Sequence, residues 1–288
     1  MGEFRTARSV VITGAAGYVG RHVVKAVSDL GYDPVAVVRP GSVEQFDAGV
    51  RRVEADVLAP DFAIADLIGD DIAALIHLAW QDGFVHNAPS HMMHLSAHFR
   101  LLSDAAAAGV PRVAALGTMH EVGYWEGAIT PETPTAPRSL YGIAKDALRR
   151  ASLLALSDQT ELTWLRCYYI YGDDRRNSSI FTRILEAVDD GKTRFPFTTG
   201  ANKYDFIHVQ ELAAQIAAVA VTPGVTGIIN CGSGVPVSLA DQVEAFIAEN
   251  ELPIELEYGV FPDRPYDSPA VWGDDAALRS ALAARGEL

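Results

Sequence analysis

The sequence predicts an α/β fold, a doubly wound parallel sheet with a smaller C-terminal lobe, and three observations carry that expectation. Val10-Val11-Ile12 reads as a buried parallel strand that runs into a turn with Gly14, Gly17 and Gly20 at a 3+3 spacing, followed by a helix over 22–30. Apolar strand-like runs then alternate with helical stretches, the order that builds a parallel sheet. A chain of 288 residues with 49% apolar content can bury one large domain, or one domain and a smaller lobe.

Each element follows from local chemistry. The tight turn from strand to helix wants backbone angles that other residues resist, and glycine also lets a phosphate approach the main chain. A pyrophosphate could then sit on N–H groups of Ala16, Gly17, Tyr18, Val19 and Gly20, where the helix dipole favours negative charge. The run 34–38 is a second strand ending at Arg39-Pro40-Gly41-Ser42, where an adenosine ribose belongs. A carboxylate there would bond a 2′-hydroxyl and repel a 2′-phosphate, so Arg39 favours NADP(H) over NAD(H). The third strand, 53–57, ends in Asp56 and Val57, and the Asp56 carboxylate can accept from an adenine amino group. The fourth, 73–79, is almost continuously apolar, as a strand covered on both faces should be; it ends in Leu78 and the small Ala79, which lets a cofactor pass.

The segment 80–93 is polar and aromatic, and His86, His91, His94 and His98 are scattered through it and the helix beyond. No Cys, no H-E-x-x-H pattern and no further ligand spacing accompanies them, so they read as a substrate-side loop and helix surface rather than a metal site. An alanine-rich helix over 94–108 leads to a strand over 113–116 and the polar loop 117–123, on the sheet edge where ligands bind in open α/β sheets. After the Pro/Thr-rich stretch 130–137, Arg138 or Ser139 caps a long helix that starts Leu140-Tyr141-Gly142-Ile143-Ala144-Lys145. Tyr141 and Lys145, four apart, share one helix face, and an ammonium beside a phenol lowers the phenol's pKa. Thr118 can donate a second hydrogen bond to the same substrate oxygen, the arrangement that polarises a carbonyl for hydride attack.

These motifs make the chain similar to the extended short-chain dehydrogenase/reductases, the nucleotide-sugar epimerases, dehydratases and reductases, from Val10 to about Leu278. The matching stretches are T-G-A-A-G-Y-V-G (13–20), H-L-A (77–79), Thr118 with Y-G-I-A-K (141–145), L-R-C-Y-Y-I-Y-G (165–172), D-F-I-H-V (205–209), N-C-G-S-G (230–234) and R-P-Y-D (264–267). The resemblance implies a Rossmann domain over 1–172 that also receives about 205–231, with 173–288 mainly a substrate-binding lobe. It implies Thr118, Tyr141 and Lys145 as the catalytic trio, with Lys145 also on the nicotinamide ribose, and Arg264 on the substrate's diphosphate. Tyr168 is placed against the nicotinamide or in the core, and Trp80, Gln81, His120, Tyr169 and Ser179 on the substrate side. In the family's 4,6-dehydratases an Asp and a Glu follow the threonine; here Met119 and His120 stand there, so dehydration lacks both carboxylates. The asparagine that many members place before the Y-G pair is Tyr169, and the basic residue usual before D-F-I-H-V is Tyr204, with Lys203 beside it.

The reading this supports is an NADPH-dependent 4-ketoreductase of a nucleoside-diphosphate 4-keto-6-deoxyhexose, with Tyr141 as proton donor. An NAD-dependent 4-epimerase and a non-catalytic NADP-binding regulator are the other readings, the last disfavoured by the intact trio. The net charge of −14 argues against nucleic acid and anionic membranes as partners. No uncharged apolar run reaches a membrane span, the N-terminus lacks a signal peptide's apolar core, and Cys167 and Cys231 stand alone like reduced thiols, which together suggest a cytoplasmic protein. The small-residue helices 94–108 and 140–156 correspond to the pair that packs against its mate in the family's homodimers, and by their composition they could equally cover the sheet.

Overall fold

The computed structural model describes residues 8–172, 175, 177, 179–262 and 267–286. Numbered in chain order, its main sheet takes β1 (Ser9–Thr13), β2 (Asp33–Val38), β3 (Arg51–Glu54), β4 (Ile72–His77), β5 (Arg112–Thr118), β7 (Glu161–Cys167) and β11 (Gly227–Cys231). All pairings are parallel and the order is β3-β2-β1-β4-β5-β7-β11, so the winding reverses between β1 and β4. A ligand crevice belongs at the carboxyl ends beside that reversal.

Side chains alternate across the strands because the strand period is two, and helices cover both faces. Val10 and Ile12 of β1 point to one face with Val23, Val24 and Val27 of α1 (Gly20–Asp29) and Leu212, Ala213 and Ile216 of α6 (Val209–Val221). Val11 points to the other, against Leu101, Leu102 and Ala105 of α3 (Leu95–Ala107) and Leu148 of α4 (Leu140–Leu156). The sheet thus buries two apolar layers, the main stabilising contribution to a domain of this kind.

The second lobe is built from short strands: β6 (Gly127–Ile129), β8 (Tyr169–Tyr171), β10 (Lys203–His208), β12 (Pro236–Ser238) and β14 (Ala270–Gly273) form one small sheet, and β9 (Arg194–Pro196) pairs with β13 (Glu255–Glu257). Its core packs Phe181, Ile184 and Leu185 of α5 (Ile180–Asp189) against Phe206 and against Val243 and Phe246 of α7 (Leu239–Glu249). Asp205 ties the lobe together: its buried carboxylate accepts from Ser233 N at 2.7 Å, Gly234 N at 3.2 Å and Gly273 N at 3.0 Å.

Several expected boundaries move. β3 stops at Glu54, which leaves Asp56 in the following turn, and β5 runs on to make Thr118 its last residue. The helix expected over 94–108 is α3, and a short helix, α2 (Ser90–Met93), precedes it within the stretch 80–93 read as loop, the two meeting at His94. Residues 209–231 join the main sheet, whereas Asp205 to His208 belong to β10 in the small sheet. β6 and β8 also leave the first 172 residues for the small sheet, and α8 (Ala276–Ala283) returns to pack on α6 and β11.

Gly14 holds the reversal together. Its φ is +72°, and a Cβ there would lie 2.6 Å from the backbone nitrogen of Ala79 at the end of β4. Backbone strain and steric overlap both follow from adding a methyl. Gly14→Ala should therefore lose about 3 kcal/mol or more of unfolding free energy, read from the urea midpoint; a midpoint equal to wild type would show that this approach is not tight.

Candidate active site

The glycine turn presents main chain rather than side chains. Ala16 and Val19 pack against the core below the turn, and α1 starts with neither a side-chain cap nor an acidic residue in its first turn. A Cβ on Gly20 would run into the Gly14 carbonyl oxygen, and one on Gly17 would lie 3.1 Å from it. An uncapped helix start above a cradle that a methyl would fill suits a pyrophosphate. The turn is sealed from below by Thr13, whose Oγ1 accepts from Ala79 N at 3.4 Å and pairs with His77 Nδ1 at 2.7 Å. Tyr18 extends toward β8, where a Cβ on Gly172 would sit 3.1 Å from its hydroxyl.

The outer end of this crevice carries mixed charge. Arg39 is exposed at the end of β2, and two residues on, Gly41 N donates to Glu54 Oε2 at 3.2 Å, while Arg52 pairs with Glu54 Oε1 at 2.8 Å. A carboxylate therefore meets the chain two residues past Arg39, the residue expected to hold a 2′-phosphate. Asp56 is exposed and uses Oδ1 to accept from Leu58 N at 3.1 Å; Val57 is buried in the core behind it. Leu78 N donates to Thr13 O at 3.1 Å and carries β4 on to Ala79.

Thr118, Tyr141 and Lys145 do converge. Ser139 caps α4 by accepting from Gly142 N at 3.1 Å, and Tyr141 N donates to His86 O at 2.9 Å, so the loop after β4 is fastened to the start of the helix. The Thr118 side chain lies beside the Tyr141 phenol and favours its ionised form. Lys145 Nζ donates to Leu116 O at 2.6 Å and lies 3.8 Å over the Trp80 ring but 5.9 Å from the centre of the Tyr141 ring.

That geometry overturns the expected acidified phenol. Burial pushes the Tyr141 hydroxyl above its ordinary range and outweighs the influence of Thr118, which acts the other way. The ammonium expected to oppose burial is spent on a carbonyl and an indole face. Burial also lowers Lys145 to about 8 and raises Cys167 to about 12. At neutral pH the trio therefore offers a protonated phenol beside a largely charged amine.

Other expectations separate by location. A cleft of about 1270 Å³ opens between the two sheets; His120, Tyr169 and Ser179 line it, with Arg138, Arg183 and Phe261. Trp80 is instead behind the trio: its Nε1 donates to His91 Nδ1 at 3.0 Å, and its ring stacks on His98 at 4.3 Å and meets Tyr141 edge-on. Gln81, half-buried just after it, does not line the cleft either. Tyr168 is core, 6% exposed and bonded through its hydroxyl to Asn230 Oδ1 at 3.0 Å, so it does not face a nicotinamide; the residue of that strand end beside Tyr141 and Lys145 is Cys167, whose Sγ donates to Gly117 O at 3.0 Å. Arg264 lies outside the described residues.

His86 is exposed in the loop that lines the cleft and His94 is half-exposed, but two of the four histidines are not surface residues. His91 and His98 are buried, and a chain runs from Thr13 through His77 to His98, with His77 Nε2 and His98 Nδ1 2.9 Å apart. Among the described residues no group of His, Cys, Asp and Glu is arranged to hold a metal ion. Burial lowers His77 to about 3 and His120 to about 4, and pushes His98 down as well. His86 stacks on Tyr141 with ring centres 5.6 Å apart and touches His120 at 4.5 Å, so uncharged imidazoles wall the phenol on the cleft side.

Sequence reasoning missed three supports of this site. Trp80 as the lysine's partner had no local signal; Cys167 was read only as a buried thiol; Glu121 had one, because Thr118-x-x-Glu121 is a capping-box pattern, and both of its reciprocal bonds are present.

A histidine whose folded pKa is depressed binds fewer protons in the native than in the unfolded state below about pH 6.5, so the stability it contributes at neutral pH is lost as pH falls from there toward 3. Between pH 7 and pH 5, His77 alone should cost about 2 kcal/mol at about 1.4 kcal/mol per pK unit. Urea titrations should show this loss, smaller in His77→Gln; equal losses in the two proteins would mean His77 is not held neutral.

Comparison with known proteins bears directly on this arrangement. Residues 10–232 match the model of the NAD-dependent epimerase/dehydratase family. The chain is 44% identical over 269 residues, 92% of its length and 99% of the relative's, to a dTDP-6-deoxy-L-talose 4-dehydrogenase (NAD(+)) of Aggregatibacter actinomycetemcomitans. Among solved structures it resembles MoeE5 in complex with UDP-glucuronic acid and NAD, at 25% identity and TM-score 0.78 over 96% of this chain and 92% of that one. It also shares the fold of UDP-glucose 4-epimerase from Thermotoga maritima, at 20% identity and TM-score 0.77 over 94% and 91% of the two chains. The glycine cradle, the converging trio and these matches together place the chain in the NAD-dependent epimerase/dehydratase family of extended short-chain dehydrogenase/reductases, as an NAD(P)-dependent enzyme.

Proposed function

We propose that the protein interconverts the 4-hydroxyl and 4-ketone of a nucleoside-diphosphate 6-deoxyhexose, with a dTDP-linked sugar as the first candidate. The observation that carries this reading is the convergence of Thr118, the protonated Tyr141 phenol and Lys145 behind His86 and His120, which line a cleft large enough for a nucleotide sugar. Reduction and dehydrogenation are one reaction in two directions, so the 4-ketoreductase read from the sequence and the 4-dehydrogenase named for the 44% identical relative describe the same transition state. In the reductive direction Tyr141 gives its proton to the O4 alkoxide as it forms, and Thr118 stabilises the same oxygen. In the oxidative direction the phenolate takes that proton back.

A bound nicotinamide supplies the hydride acceptor or donor for C4. The residues that would hold the dinucleotide are the main chain of Gly14 and residues 16–20 at the pyrophosphate, Asp56 and Val57 at the adenine, Leu78 and Ala79 along the crevice, and Lys145 with Tyr141 at the nicotinamide ribose. Arg39 argues for a 2′-phosphate, but the NAD named for both relatives supports NAD(H). His120, Tyr169 and Ser179 line the sugar-nucleotide side, and Arg264 would meet the diphosphate. Elimination of water is disfavoured because Met119 is buried, His120 is neutral, and Glu121, the carboxylate nearest in sequence to Thr118, is sealed away from the cleft.

Incubation with a dTDP-4-keto-6-deoxyhexose should consume NADH faster than NADPH. In Tyr141→Phe, kcat should fall by about 10²–10⁴ with NADH affinity kept within a few-fold; no consumption with any nucleotide form of the ketosugar would reject the assignment. Met92 and Met93 of α2 and Ile143 and Leu154 of α4 remain exposed, and this apolar strip suits a second copy of the chain. Sedimentation at twice the chain mass, returning to the monomer in Leu154→Glu, would support that pairing, and a wild-type monomer would exclude it.

A further inference from the structure

We propose that Glu121 is a positioning residue for the reaction at Tyr141: it fixes Thr118 against the phenol and braces the ends of β5 and β7 to the helix face that carries Tyr141 and Lys145. The inference rests on the roles just assigned to Thr118 and Tyr141.

Glu121 is fully buried, and each of its oxygens has a separate task. Oε1 accepts from Thr118 N at 2.8 Å and from Trp164 Nε1 at 2.9 Å, which pins the last residue of β5 to β7. Oε2 faces Arg166 Nε and Arg149 Nε, each at 3.5 Å. Arg166 is on β7, one residue before Cys167, and is also fully buried. Arg149 continues the face of α4 on which Tyr141 and Lys145 lie, because positions 141, 145 and 149 are spaced by four. One carboxylate thus touches both elements that deliver the trio, β5 and α4, and the neighbouring β7 as well.

The arrangement exceeds what a short turn requires. A neutral side chain can cap a single helical turn, whereas burying a carboxylate costs far more unless charges are buried with it. Burial pushes the Glu121 carboxyl up and the two arginines pull it down, but Oε2 and both facing Nε atoms make no hydrogen bond, so the chain meets the charge by proximity alone on that side. It supplies two arginines, and it places Gly117 where a Cβ would strike Trp164 Nε1 and come within 2.7 Å of Glu121 Oε1. Such a network specifies one geometry more than it stabilises. The geometry it specifies is the separation between the Thr118 hydroxyl and the Tyr141 phenol. The Glu121 charge is also felt at both catalytic groups, favouring the Lys145 ammonium and disfavouring the Tyr141 phenolate.

A double-mutant cycle on the full-length protein, turning over a dTDP-4-keto-6-deoxyhexose with NADH well below the melting temperature of every variant, tests this. Glu121→Gln keeps an acceptor for Thr118 N and removes the charge that draws in the arginines. It should lose about tenfold in kcat, with KM for both substrates within about twofold. Thr118→Val should lose about 10²-fold. Because Glu121 acts through Thr118, the double variant should be no slower than Thr118→Val alone. Independent losses that multiply to about 10³-fold, or wild-type kcat in Glu121→Gln, would overturn the proposal; a merely structural glutamate would lower the melting temperature without that dependence on Thr118. Should Glu121→Gln fail to fold, Arg149→Gln leaves the Glu121–Arg166 pair in place and should lose about threefold in kcat, a loss absent in the Thr118→Val background; unchanged kcat there overturns the proposal equally. Wild-type protein that turns over no ketosugar rejects the proposed reaction itself, whereas active wild type with an indifferent Glu121 rejects only the brace.

Discussion

A charge shut away from water must be met by opposite charge, and that necessity organises the carboxyl edge of the main sheet. Glu121 draws Arg166 from β7 and Arg149 from α4, and its remaining lone pairs take the last amide of β5 and the indole of Trp164. Strand ends are normally where a sheet frays into loops. Here the end of β5 is held at both backbone and side chain, because Thr118 gives its amide to Glu121 while its Oγ1 accepts from His120 N at 3.3 Å. The loop that follows inherits this rigidity, and so does the wall of the cleft that His120 forms.

The chemistry of the site depends on what that packing does to proton affinities. Burial keeps the phenol protonated and the imidazoles of His77, His98 and His120 neutral, so Lys145 is the principal positive charge beside Tyr141. A single cation beside a neutral acid favours an alkoxide forming between them without binding anions indiscriminately. The arginines Arg138 and Arg183 line the cleft.

Much of this was legible from local sequence, for a physical reason. The glycine turn, the strands of the main sheet and the Tyr141–Lys145 face are set by constraints acting over a few residues: backbone angles, period-two burial and helical spacing. Contacts between distant segments were not legible in the same way. The lysine was expected beside the phenol because four residues separate them, but Trp80, 65 positions earlier, captures its ammonium. His91 and His98 looked like surface residues because nothing nearby in sequence announces a stack with Trp80. Three-residue strands such as β6 and β8 are too short to show a period, so their departure for the small sheet had no signature. Tyr168 and Cys167 exchange roles because neighbours on a strand face opposite sides, and sequence alone did not say which side was which.

The path of the chain through the two sheets has an evolutionary corollary. The small sheet collects β6, β8, β10, β12 and β14 from five separate stretches, and between visits the backbone returns to complete the large sheet with α6, β11 and finally α8. The lobes are interlaced rather than strung in series, so no single cut releases one intact from the other. A lineage in which the parts are woven this way cannot acquire a new sugar preference by swapping a cassette; it must do so by point changes along the seam.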